Sequence, residues 1–143
     1  MRVMVMMKGT DAIEAGVQPS EALMRDMTTF NEELAAAGMM LAGEGLHPSS
    51  KGKRVVFGGR DTPIVIDGPF AETKELIAGF WIWKVKDMDE AVAWARRIPD
   101  TDKLHGEVEI RPIVSMEDFE AFTPEIQARE EALREQIGSY GSA

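Results

Sequence analysis

Two stretches of the chain are apolar at every position, where a half-buried strand would alternate. In Val3–Met7 both Val3/Val5/Met7 and Met4/Met6 are apolar, and in Phe80–Trp83 Phe80 and Ile82 share one face while Trp81 and Trp83 share the other. A strand of this kind needs cover on both sides. Between and beyond them the period changes. Leu23, Met27, Phe30, Leu34 and Ala37 recur at steps of four and three, which predicts a helix opening at the N-cap Ser20 and stopping at Gly38. Met88, Ala91, Val92, Ala95 and Ile98 predict a second helix, opened by Asp87 with Glu90 three residues on and closed by Pro99. Strands are predicted over Met39–Leu46, Ala78–Val85 and Glu107–Arg111, and the short runs Lys53–Phe57 and Thr62–Asp67 read as a hairpin. The stretch between the first strand and Pro19 reads as a loop.

Removing that hairpin leaves the order βαββαβ. This is the order of a ferredoxin-like α+β fold, with two helices on one face of an antiparallel sheet. Two helices leave the second apolar face bare, and soluble monomers rarely expose such a patch. A second copy closing face to face on it, as a dimeric α/β-barrel, is the expected cover; the C-terminal helix folding back is the alternative. Ser115 reads as the start of a short helical turn. Thr123-Pro124 then opens a helix to about Gln136 whose apolar positions (Ile126, Leu133, Ile137) are sparse, and Gly138–Ala143 reads as a mobile end. Residues 1–113 are thus expected to form the domain and 114–143 a helical appendage.

Length and charge narrow the function classes. At 143 residues the chain suffices for one domain with its own core. There is no cysteine, which excludes disulfides and thiol catalysis and fits a reducing compartment. The run between Arg2 and Lys8 is only five residues, short of the ~7–15 of a secretory core and the ~20 of a membrane span. A cytoplasmic protein is expected. Net charge is −9 with scattered basic residues, Lys51, Lys53 and Arg54 being the one small cluster. Nucleic acid and anionic membranes are therefore not the expected partners.

The densest candidate chemistry is DGPFAETKE at Asp67–Glu75. Asp67, Glu72 and Glu75 place three carboxylates within nine residues. Carboxylates converging on a cleft can share protons for general acid–base work. Equally, Asp67 ahead of Gly68-Pro69 can bond its own turn, and Glu72 and Glu75 can lie solvated or paired with Lys74. Lys74 is either an anion-binding group or a surface lysine. His105, at the mouth of the last strand, is the better of two imidazoles for proton transfer, ahead of His47. Glu109 and Arg111 lie opposite in parity to Val108 and Ile110. They are expected, with Glu44, to face the dimer cavity, either as an internal ion pair or as ligand contacts. Two separated histidines and no cysteine give no metal motif, and no Gly-rich phosphate loop is present, so no cofactor is expected.

The nine residues DGPFAETKE, the GEGL ending of Gly38–Leu46, the Gly79-Phe80 strand start and HGEVEIRP at His105–Pro112 together resemble the DGPF family, within the YCII-related proteins. The resemblance covers about residues 1–113. It implies a homodimeric α+β barrel of ferredoxin-like subunits, and in some YCII-related proteins a histidine paired with a carboxylate as a catalytic centre. This chain has no histidine in its Ser20–Ala37 helix, leaving His47 and His105 as its only imidazoles. Two readings remain open. One is a homodimer binding a small polar organic molecule, with acid–base chemistry of lyase or isomerase type if it is an enzyme. The alternative is a non-catalytic ligand-binding or regulatory interaction module. In the first, Asp67, Glu72 and His105 carry the chemistry, while Glu75, Lys74, Glu109, Arg111 and Glu44 contact the ligand.

Overall fold

A computed structural model describes residues 1–59 and 61–138. The side chain of Lys74 lies outside that description, as does the expectation made for residues 139–143. The elements run β1 (Arg2–Lys8), α1 (Asp11–Glu14), α2 (Glu21–Ala36), β2 (Met40–Gly45), β3 (Lys53–Val56), β4 (Ile64–Asp67), β5 (Ile77–Lys84), α3 (Met88–Ala95), β6 (Val108–Pro112) and α4 (Pro124–Ile137). One-turn 3-10 segments lie at Ser49–Lys51, Thr73–Glu75 and Met116–Asp118.

The architecture is α+β. Four antiparallel strands form one sheet in the order β2-β5-β1-β6, and β3–β4 is a separate two-stranded hairpin. The sheet is open, with β2 and β6 as its edges, and no barrel closes within the chain.

Register explains the core. Val3 sits opposite Trp83 and Val5 opposite Trp81, so valines and indoles share one face. Phe30 and Leu34 of α2 and Ala91 of α3 pack on that face with Met7, Met39 and Val85. The Phe30 ring touches three indoles, with centroids 6.1 Å from Trp81, 6.3 Å from Trp83 and 6.2 Å from Trp94. Trp83 is fully buried, and its Nε1 has no acceptor among the described residues. The unmet donor costs about 1–3 kcal/mol. Burying an indole returns roughly 4–6 kcal/mol at ~25 cal/mol per Å2, so the packing wins.

The helices start where their caps stand. Ser20 Oγ accepts from Leu23 N at 3.1 Å, Asp87 Oδ1 from Glu90 N at 2.9 Å, and Thr123 Oγ1 from Ile126 N at 3.3 Å. Gly38, at φ 71°, takes the left-handed turn that ends α2. One element departs from the expectation. The stretch read as a loop contains α1, a single turn capped by Thr10 Oγ1 on Ile13 N. Four residues are too few to display a helical period.

The second sheet face carries Met4, Met6 and Phe80, all half-buried, with Ile82 buried among them. Glu109 lies beside Met6 and Arg111 beside Met4 on that face. No residue of α4 is buried. Among the described residues no helix is long and apolar enough to cross a membrane.

Candidate small-molecule cavity

A cavity of about 480 Å3 opens where the first half of α2 leans over the ends of β2 and β5. Its walls are mostly apolar: Met7, Leu23, Met27, Leu46, Phe80 and Trp81. The polar residues that line it are few, among them Glu44, His47, His105, Gln18 and Asn31. Such a cavity binds an organic body by burial and orients it by a small number of polar contacts.

The indole of Trp81 is held rigidly as part of the wall. Its Nε1 donates to Asn31 Oδ1 of α2 at 2.9 Å. Its edge presses on Gly43, where an added Cβ would lie 2.8 Å from Trp81 Cδ1 and 2.7 Å from Met40 Cε. Gly43 is therefore a packing requirement of the cavity floor.

His105 reaches the cavity because its loop is tied down at three points. After α3 the chain runs through Asp100, Thr101 and Asp102 to Leu104 and His105. Asp102 receives both the N–H (2.7 Å) and the hydroxyl of Ser20 at the α2 N-cap. Thr101 Oγ1 donates to Asp26 Oδ2 at 2.5 Å, and Thr10 Oγ1 to the Leu104 carbonyl at 3.2 Å. The Ser20 hydroxyl, then its N–H, then the nearby His105 together hold the Asp102 carboxyl below the usual carboxylate range, against a small opposing desolvation.

Within this loop His105 is paired. Its backbone N–H donates to Asp100 Oδ1 at 3.1 Å, and its Nδ1 lies 3.5 Å from the same oxygen. The imidazole is only 15% exposed. A carboxylate on the Nδ1 side orients the ring and leaves Nε2 as the nitrogen that can meet a ligand. Asp100 was not among the residues singled out in the sequence. Its signal was the spacing of two aspartates and a histidine in the loop between α3 and β6, which has no periodicity to draw attention to it.

The structure separates the other candidates. His105 and Glu44 line the cavity; Asp67, Glu72 and Glu75 do not. Asp67 spends its carboxylate on Lys53 across the hairpin, 2.5 Å away, rather than on its own turn. Glu72 precedes the Thr73–Glu75 turn without a side-chain cap bond, and Glu75 is exposed. Glu109 and Arg111 lie on the open sheet face, with Glu109 Oε1 3.8 Å from Lys8 Nζ.

DGPFAETKE acts one layer behind the cavity. The Gly68-Pro69 peptide is cis, and Gly68 lies against the Ser49–Lys51 turn, where a Cβ would sit 1.7 Å from the Ser49 carbonyl oxygen. Phe70 N donates to Ser49 Oγ at 3.0 Å, and Ser49 Oγ in turn donates to Glu14 Oε2 at 2.5 Å. Arg54 stacks on the Phe70 ring at 4.0 Å, and Thr73 Oγ1 donates to Asp11 Oδ1 at 3.0 Å. The segment thus anchors the hairpin and α1 to the turn that follows His47 and Pro48 on the cavity wall. A second recess, of about 370 Å3, is bounded by Lys8, Asp11, Thr73 and Glu107 and mixes both signs of charge.

One solved structure, 5-chloro-2-hydroxyhydroquinone dehydrochlorinase of Burkholderia phenoliruptrix AC1100 in complex with 2,5-dihydroxybenzoquinone, superposes with a TM-score of 0.47 at 12% identity, covering 82% of this chain and 98% of that one. That superposition is too loose to carry fold or function across. An uncharacterised protein of Rhizobium meliloti (strain 1021) is 32% identical over 96 residues, spanning 67% of this chain and 77% of the relative. The model of the YCII-related domain matches residues 1–117, and the chain belongs to the YCII-related family.

Proposed function

We propose that the chain binds a compact organic molecule in the 480 Å3 cavity and performs acid–base chemistry of lyase or isomerase type on it, as a homodimer of ferredoxin-like subunits. The observation that carries this reading is His105 on the wall of a mostly apolar cavity, with its Nδ1 paired to Asp100, which is not itself a lining residue. Burial of the ligand body on Leu23, Met27 and Trp81 supplies binding. His105 Nε2 takes a proton from the bound molecule and returns it to another position or to the departing group. Asp100 positions the imidazole and offsets the charge it gains. Glu44 and His47 supply the remaining polar contacts. The β2-β5-β1-β6 order, with α2 and α3 packed on one face, supports the ferredoxin-like subunit, and the half-buried Met4/Met6/Phe80 face supports the dimer.

The test begins with a thermal-shift screen of a metabolite library, since a ligand of the folded state raises its melting temperature by mass action. For a hit that the protein converts, His105→Gln is expected to lower kcat by about 10²–10⁴ while the ligand still shifts melting. Unchanged turnover in that variant would remove His105 from the chemistry. A second reading, a non-catalytic ligand-binding or regulatory interaction module, is favoured by the placement of Asp67, Glu72 and Glu75 outside the cavity. Hits that bind and survive long incubation unaltered are its expected outcome.

A further inference from the structure

Asn31 is the single amide side chain of α2, and the two ends of that amide have different neighbours. Trp81 Nε1 lies 2.9 Å away and can only donate, so the amide oxygen has to face the indole. The indole itself is locked. Phe30 packs edge-on against it with centroids 6.1 Å apart, and Trp83 lies 5.8 Å from it. On its remaining edge an added Cβ at Gly43 would already lie 2.8 Å from Trp81 Cδ1. A fixed indole therefore fixes which way the Asn31 amide is turned.

The NH2 end is left over. Asn31 Nδ2 has no acceptor among the described residues. Trp83 Nε1 is the only polar side-chain atom among them that is both sealed from solvent and unpartnered, so Asn31 Nδ2 is open to solvent. Asn31 lines the 480 Å3 cavity, and Leu23 and Met27, at steps of four before it on the same stripe of α2, line it too. His105 belongs to the other end. Its loop is tied through Asp102 to Ser20, about three turns of α2 before Asn31. An apolar wall thus separates a fixed donor from the imidazole.

We propose that Asn31 Nδ2 is a specificity-determining donor, and that the cavity takes molecules with an apolar body and a carbonyl or carboxylate oxygen at the end remote from His105. The proposal deepens the reading of this cavity as a ligand site and rests on it. Trp81 is the positioning residue, because its N–H occupies the amide oxygen and leaves only the donor for a ligand. A molecule that offers a donor at this end, or nothing polar, leaves Nδ2 without an acceptor and binds less well.

The test uses the full-length chain labelled with nitrogen-15 and two probes of one carbon skeleton. 1-Indanone carries a carbonyl oxygen and no donor; indane carries neither. Asn31→Asp keeps an oxygen for Trp81 Nε1 and removes the donor, and the loss of its side-chain NH2 signals identifies them in the native spectrum. The expected result is that 1-indanone moves both the Asn31 NH2 signals and the Trp81 indole N–H, whereas indane moves the indole signal alone. Asn31→Asp should weaken 1-indanone about 3- to 10-fold, the range of one neutral hydrogen bond, and indane by less than about twofold. Each probe is compared with itself across the variants, so their unequal hydrophobicity drops out. Asn31→Leu is the second variant, with the same selective loss expected. The proposal is overturned if 1-indanone moves the Trp81 signal but not the Asn31 NH2, or binds both variants as tightly as the native chain. Two probes that both leave the Trp81 signal in place would instead count against the cavity as a ligand site, and the proposal falls with it.

Discussion

Gly68 shows what a single residue does in DGPFAETKE. An added Cβ would lie 1.7 Å from the Ser49 carbonyl oxygen, and the obstacle is backbone rather than a side chain that can swing aside. Overpacking typically costs ~1–3 kcal/mol, and Gly68→Ala should fall at the upper end, about 3 kcal/mol, because the Ser49–Lys51 turn must move. Gly45→Ala has open space around its Cβ and serves as the comparison, with a loss of under about 1 kcal/mol expected from the same urea unfolding series. Equal losses would show that Gly68 is not a packing requirement. Residue types alone suggested the reverse emphasis, with Asp67 as the chemical residue of the segment. Its carboxylate instead closes an ion pair with Lys53, and the glycine beside it sets the packing.

At the level of elements, the α3–β6 loop matters most because it carries Asp100 and His105. It is fastened by Ser20, which caps α2 and also gives both its donors to Asp102. Ser20→Ala should cost about 1 kcal/mol through the lost cap alone, read by thermal unfolding, and it also frees the loop. The Asp102 carboxyl is held below its ordinary range, so folding is favoured by its ionised form. That contribution is present above the unfolded-state value, near pH 4, and disappears as pH falls through the lower folded-state value. The gap in melting temperature between the native chain and Asp102→Asn should therefore be widest near neutral pH and shrink on acidification below about 4. A gap that stays constant down to pH 3 would exclude the carboxylate as its source. Elements with repeating apolar positions, such as α2 and β5, were legible from sequence to within one or two residues, whereas α3 opened at Asp87 as expected but ended at Ala95, three residues before Ile98. The α1 turn and the Asp100–His105 loop were not, since neither has a period and both are shaped by contacts with distant segments.

For the whole molecule the decisive feature is a sheet with α2 and α3 packed on the same side. Met4 and Met6 stand half-buried on the other side. The homodimer proposed here predicts that light scattering on the purified protein gives twice the chain mass. It also predicts that Met6→Asp drives the species to a monomer, because a charge desolvated at the centre of an interface finds no partner. A monomer for the native chain at micromolar concentration would overturn the face-to-face arrangement.

The sequence by itself determined which segments become helices and strands, where the caps stand and which strands are apolar on both sides. Those properties depend on neighbours within a few positions, and side-chain chemistry states them directly. The tertiary structure decided which groups meet. Ser20 and Asp102 are 82 residues apart, and they touch because the α3–β6 loop returns to the start of α2. That same return brings His105, paired with Asp100 within its loop, to the cavity wall, while the hairpin carries Asp67 away to Lys53. Packing geometry, and not local spacing, selected the histidine–carboxylate pair.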